Sequence, residues 1–378
     1  MEDTDPEPDL TVSAQPSPDK SAEPGTIPEP ERPDDPIDAA RATLAAADPV
    51  TYYRSMAALA RSTHGALLQP LDYSPKYPFH DPATVSYGPD PSTRDTMRLY
   101  ANAAYPDFDK ILVAAFRRPE NTHLINELFH RLTVDHSNVA LVTNHGEIVD
   151  IALVLAALVL ALTDPERSVG VLGEHGSLPE IAPRCNVLVS RMVTTRSVFS
   201  LPAVEVISTM CRSWFSVPQT QSRRRARLDP ELVRANNLLM RQGLDETLEG
   251  GGQLVAMAAS GSQDLSLAAN LVQRVRTTWR HRRGVEPENA PSLHLQPLYD
   301  GTINLMLKCR YVLPLAISLD PAHPACEIGT MTVVREPDDC HTVMDWIAHA
   351  HQEATGITTI YHRHEDDLLT QVRDVLRS

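Results

Sequence analysis

Ile151 to Leu162 is an unbroken run of twelve apolar residues, IALVLAALVLAL. As a helix it would be about 18 Å long at 1.5 Å per residue. A bilayer core needs about 20 such residues, so the run is too short to span a membrane. A helix that is apolar on every side, yet too short to span, has to be enclosed by protein, packed against a sheet. Directly ahead of it stands a polar head, Asn144-His145-Gly146-Glu147-Ile148-Val149-Asp150. The chain therefore places ionisable groups at the mouth of its most buried element.

The remaining pattern supplies the layers such a helix needs. Residues 1–36 hold nine prolines, eleven acidic and two basic residues, and almost nothing apolar. They cannot bury enough surface to offset their ordering entropy, and a disordered acidic tail is expected. Residues 37–92 form an N-terminal helical region, two short helices broken at Asp48-Pro49, followed by a Pro- and Tyr-rich connector. Residues 93–378 alternate helical and strand-like segments. Helices are expected at Thr122–Leu132 and Asp229–Leu248. Strands are expected at Val139–Thr143, Val187–Val193, Gln253–Ala258 and Val312–Ser318. This alternation indicates an α/β layered domain around a central sheet.

Charge and cysteine usage exclude several classes. The net charge is −15, of which the tail carries −9, leaving a mild −6 for the rest. General nucleic-acid binding, which needs excess Lys and Arg, is not expected. The five cysteines are widely spaced and include no CxxC pair, which points to reduced thiols and a cytoplasmic setting. The acidic, Pro-rich start does not have the composition of a secretory signal.

Two segments carry the chemistry. His145 and Asp150 have a His-x4-Asp spacing just after an expected strand. Asn144 and Glu147 have the spacing of a capping box, so a helix start at His145 is expected. Residues five apart on a regular helix do not face each other, so the pair can meet only where the helix start turns. There, Asp150 on one ring nitrogen would fix the tautomer and leave the other as a general base. A structural histidine at a strand end has the same local signature. The second segment, GGGQLVAMAASGSQD from Gly250 to Asp264, leads through a strand into a small-residue turn at Ser260, Gly261 and Ser262. Such turns expose backbone amides that cradle a phosphate or oxyanion, or they are simply tight turns.

Taken together these segments resemble the glycerolipid acyltransferase family with the His-x4-Asp motif, most nearly its soluble, plastid-type glycerol-3-phosphate acyltransferases. The family's SNHQTEADP block is matched at Asn144, His145 and Asp150. Its GGSQLIWIAPSGGRDRP block is matched at the leading glycines, Gln253, the apolar strand, Ala258 and Ser260-Gly261. Tyr311 to Ile317 resembles the family's Pro-Leu-Ala strand, Glu327-Ile328-Gly329 follows, and Pro297 to Asp300 is similar to its PFD segment. The matches run in order from about Arg94 to Val334. The resemblance implies a mixed central sheet flanked by helices and an O-acyl transfer from acyl-CoA or acyl-acyl carrier protein, with no cofactor or metal. His145 would deprotonate the acceptor hydroxyl and Asp150 would orient it. Asn144, Ser260, Gly261 and Ser262 would bind substrate.

One departure matters. The family's GGRDRP offers arginines to the acceptor phosphate, where this chain has Gly261-Ser262-Gln263-Asp264-Leu265-Ser266. Ser and Gln do not replace a guanidinium on phosphate. Arg191 and Arg196 are the candidates to take over that role. Two basic runs, Arg223 to Arg227 and Arg274 to Arg283, are either solvated faces or docking patches for a carrier protein, CoA phosphates or a peripheral membrane contact. His362, His364 and Glu365 read as a solvated helix start rather than a metal site. Two other functions stay open: a binding or scaffold protein on the same fold with altered acceptor binding, and a metal-dependent hydrolase using His145, Glu147 and His175.

Overall fold

The computed structural model describes residues 35–60, 69–74, 81–145, 150–165, 176–198, 201–217, 228–259, 265–266 (main chain only) and 292–364. In chain order the strands are β1 (Gln69–Pro70), β2 (Ser86–Tyr87), β3 (Val139–Thr143), β4 (Cys185–Ser190), β5 (Arg196–Val198), β6 (Leu201–Pro202) and β7 (Arg212–Ser216). They continue as β8 (Leu254–Ala258), β9 (Leu265–Ser266), β10 (Ser292–Leu295), β11 (Tyr311–Ser318), β12 (Ala325–Ile328), β13 (Thr332–Val333) and β14 (Thr358–Tyr361).

The main sheet has the order β12-β11-β3-β8-β4-β7-β2, with β13 beside β11. Its five central strands, β11, β3, β8, β4 and β7, are parallel to their neighbours. The edges β12, β13 and β2 run antiparallel. The protein is thus mixed α/β, with sheets flanked by helices. Parallel strands covered on both faces read as continuous apolar runs, which is why Val139–Thr143 and Leu254–Ala258 are buried at every position.

Alternation divides the sheet's side chains between two cores. Leu141, Val187, Leu254, Leu313 and Leu315 face the apolar helix Asp150–Leu162, which is buried almost throughout. Ala140, Val142, Val255, Met257 and Val312 face the other way, against the helices Pro230–Glu249, Asp300–Cys309 and Pro337–Thr355. The apolar helix is closed at its far end by polar groups. Arg94 donates to the Leu160 carbonyl at 2.8 Å, and Arg117 pairs with Asp164 at 2.6 Å. Cations beside the last carbonyls oppose the negative end of the helix dipole. No described helix is long and apolar enough to cross a membrane.

The N-terminal helices Pro36–Ala45 and Pro49–Ala60 lie against the long helix Pro230–Glu249. Ala40 and Leu44 pack on Ala235 and Leu239, and Tyr52 and Met56 on Val217 and Val233. The break falls where Asp48-Pro49 predicts it, with the Asp48 carboxylate accepting from the Thr51 amide at 3.0 Å. Residues 1–34 of the expected tail lie outside the described residues. Its last two, Asp35 and Pro36, instead start the first helix, since Asp35 caps the Ile37 amide at 2.8 Å.

Two expected boundaries change. The strand expected at Val187–Val193 begins at Cys185 and stops at Ser190. Arg191–Thr195 form a 3-10 turn, in which Thr194 and Thr195 hydroxyls donate back to the Arg191 and Met192 carbonyls at 2.8 Å. Those hydroxyl bonds hold the chain in a turn despite the apolar Met192-Val193. The second change concerns the helix expected from His145. Its described part begins at Asp150, and residues 146–149 lie outside the description.

Candidate active site

The C-terminal ends of parallel strands open onto one edge of the sheet, the usual ligand edge of an open α/β layer. β3 and β8 are neighbours there, with Thr143 opposite Ala258. The Ala259 amide donates to the Thr143 carbonyl at 3.1 Å, extending the pairing past the strand tips. The residues leaving β3 and β8 therefore emerge side by side.

Asn144 leaves β3 with its side chain turned to the neighbouring strand. Its Oδ1 accepts from the Ile317 amide and its Nδ2 donates to the Ile317 carbonyl, both at 2.8 Å. That pair of hydrogen bonds ties the exit of β3 to β11, and it replaces the capping role that local spacing suggested. As a substrate contact Asn144 is a poor candidate, because its buried amide already uses both polar atoms on the main chain.

His145 follows, and the expected pair forms. Its Nδ1 lies 2.9 Å from Asp150 Oδ1 and 3.2 Å from Oδ2. Asp150 is the first described residue of the apolar helix and His145 stands ahead of it, so the facing problem of a regular helix does not arise. The Ile151 amide also donates to Asp150 Oδ1 at 2.7 Å. The side chains are unequally covered: Asp150 is 2% exposed and His145 16%. A buried carboxylate thus holds a ring that is itself only partly buried. Bound this way, Nδ1 carries the proton, and Nε2 is the atom through which the ring can exchange one.

The other expected site residues divide. Ser260, Gly261 and Ser262 lie outside the described residues, as do Glu147, His175 and both basic runs. The glycines leading into β8 sit at the opposite edge of the sheet and have a packing role. Gly251 and Gly252 adopt φ of 69° and 66°, and a Cβ on either would come within 2.6 Å of a neighbouring carbonyl oxygen. Gln253 is structural as well. Its Oε1 accepts from Asn186 Nδ2 at 3.0 Å, and Asn186 Oδ1 accepts from Trp214 Nε1 at 2.9 Å, joining the starting ends of β8, β4 and β7.

Arg191 and Arg196 are not presented to a ligand. Arg191, at the tip of β4, is 1% exposed. It donates to the Thr84 and Asp81 carbonyls and, at 3.2 Å, to Asn236 Oδ1, with Tyr52 and Phe215 rings against its guanidinium. Arg196 is also buried and donates to the Ala60 carbonyl. Both therefore fasten the N-terminal region and its connector to the sheet, and neither guanidinium is exposed where a phosphate was expected.

His362 departs from expectation too. Rather than opening a solvated helix, it follows β14 and is 3% exposed, with His294 Nδ1 2.9 Å from its Nε2. Glu365 lies outside the described residues. Among the described residues, no group of three or more His, Cys, Asp and Glu is placed to hold a metal ion. All five cysteines are buried thiols, and burial pushes Cys185, Cys309 and Cys326 up to about 12.

No model of a known protein family matches the chain, and no curated protein matches it.

Proposed function

We propose that this protein is an O-acyltransferase that moves a fatty acyl group from a thioester, acyl-CoA or acyl-acyl carrier protein, to a hydroxyl acceptor. The observation that carries the reading is the His145–Asp150 pair, 2.9 Å apart at the ligand edge of the parallel strands. His145 Nε2 takes the proton of the acceptor hydroxyl as its oxygen attacks the thioester carbonyl. Asp150 stabilises the imidazolium that forms and keeps the ring in one tautomer. As the C–S bond breaks, the proton passes to the departing thiolate. No covalent acyl-enzyme is required, because the acceptor oxygen is itself the nucleophile. The family resemblance of the four sequence blocks supports the same reaction.

The acceptor is the finer question. A glycerol-3-phosphate-like acceptor is what the resemblance implies, with a role in glycerolipid synthesis. The burial of Arg191 and Arg196 favours a second reading, in which the acceptor is a hydroxyl compound without a phosphate held by those arginines. Thiol release from long-chain acyl-CoA, measured with glycerol 3-phosphate, lysophosphatidate and unphosphorylated alcohols, separates the two. Saturable stimulation by glycerol 3-phosphate supports the first, and stimulation by alcohols alone supports the second. No thiol release with any of them would leave the binding or scaffold role as the better account.

A further inference from the structure

A second set of reactive groups lies in the small sheet formed by β9, β10 and β14. β10 reads Ser-Leu-His-Leu, so period-2 alternation separates its side chains by face. Leu293 and Leu295 enter the core against the helix Pro337–Thr355. Ser292 and His294 share the opposite face. β14 runs parallel to β10 with His294 opposite Ile360, and the His362 amide donates to the Leu295 carbonyl at 3.1 Å. His362, two residues beyond Ile360, is thereby placed on the face that holds His294.

The side chains form a line. Ser292 Oγ lies 3.2 Å from His294 Nε2, and His294 Nδ1 lies 2.9 Å from His362 Nε2. The imidazole planes differ by only 15° and their centres are 5.2 Å apart. That separation fits two rings joined edge to edge through the 2.9 Å N···N contact, with the hydrogen bond in both planes. It does not fit face-to-face stacking, in which ring atoms rather than ring edges oppose each other. The tautomers follow in sequence. For the Ser292 hydroxyl to donate, His294 Nε2 must be bare, so His294 Nδ1 bears the proton and His362 Nε2 accepts it.

A hydroxyl on a histidine whose far nitrogen is held by a third group is the arrangement of an activated nucleophile. We propose that Ser292, His294 and His362 form a second reactive centre, in which Ser292 takes up acyl groups from carboxylic esters, His294 is its base and His362 is a positioning residue. In that step Ser292 Oγ forms a bond to the ester carbonyl carbon and its proton moves to His294 Nε2. The ester C–O bond breaks, the proton leaves with the departing alcohol, and water then cleaves the acyl-serine. Burial, with His362 adding to it, pushes His294 below the usual histidine range, so the ring is held in the neutral form a base requires. The proposal does not rest on the His145 reading.

The test is reaction of the full-length protein with an alkyl fluorophosphonate, followed by peptide mapping. The expected result is an adduct on Ser292 that is absent from Ser292→Ala and unaffected in His145→Gln. His294→Gln should slow labelling by at least about 10²-fold, the usual contribution of a general base. His362→Gln, whose carbonyl can still accept from His294 Nδ1, should label near the wild-type rate, whereas His362→Phe should not. That rescue distinguishes positioning from a merely structural role. No adduct on Ser292 in folded wild-type protein overturns the proposal, as does labelling at the same rate in His294→Gln and His362→Phe.

Discussion

His145 and His294 are both histidines held through Nδ1, yet their partners differ in charge. His145 meets a carboxylate, Asp150, and its side chain is 16% exposed. His294 meets another imidazole, His362, and is 2% exposed. A carboxylate stabilises the imidazolium created when the ring takes a proton, while a neutral partner chiefly orients it. In the proposed reaction the first pair is therefore suited to hold a full charge on the ring. The second is suited to orient a ring, and acyl uptake at Ser292, as proposed, should be slower than transfer at His145.

The largest expected effect removes the difference at its source. His145→Gln should lower acyl transfer by about 10³-fold or more, at the upper part of the range for a lost base. Circular dichroism and thermal unfolding should show an intact fold. Next, Asp150→Asn keeps the shape and deletes the charge. The rate should fall by about 10²-fold or more, because an amide no longer stabilises the imidazolium. If Asp150→Asn is harmless, His145 does not depend on a charged partner and the contrast with His294 collapses.

Smaller effects concern stability rather than rate. Arg191→Met should cost at least about 2 kcal/mol, since the Asp81 and Thr84 carbonyls and Asn236 Oδ1 lose their donor in a buried place. Denaturant melts measure the loss, and the acceptor KM of the folded fraction should not move. A raised acceptor KM would return Arg191 to the phosphate-binding role expected of it. Asn144→Ala should cost about 2 kcal/mol for the two bonds to Ile317, and should also lower kcat through the loosened exit of β3.

The C-terminal region should respond to acid in the sense a neutral histidine dictates. His351 donates or accepts at 2.8 Å with Thr359 Oγ1, and burial pulls it down to about 4. Its folded value lies below the unfolded one near 6.5, so the unfolded chain binds more protons between the two. This contribution is complete above about pH 6.5 and is lost as pH falls toward 4. His351→Gln should flatten that part of the stability profile, and an unchanged profile would assign the acid sensitivity to other groups.

What could be read from the chain follows from the range of the interactions. β3, β8 and β11 declare themselves because parallel strands buried on both faces must be apolar at successive positions. The break at Asp48-Pro49 and the helix start at Asp229 are local and were equally legible. The His145–Asp150 pair was legible as a spacing that needed a turned helix start. The capping role of Asn144 was misread because its partner, Ile317, is 173 residues away and no local pattern records it. Arg191 likewise depends on carbonyls more than a hundred residues upstream. His362 stands in the charged stretch His-Arg-His-Glu, which locally suggests a solvated segment, but parallel pairing with β10 carries it inward against His294. Ser292 and His294 drew no reading from the sequence, because only the register of β14 gives them a third member.

The most direct test of the central claim is the rate of thiol release from long-chain acyl-CoA with a saturating hydroxyl acceptor, compared between wild type and His145→Gln. The account predicts acceptor-dependent release by wild type and a loss of about 10³-fold in the folded variant. Equal release by the two proteins, or acceptor-dependent release that survives the substitution, would contradict it.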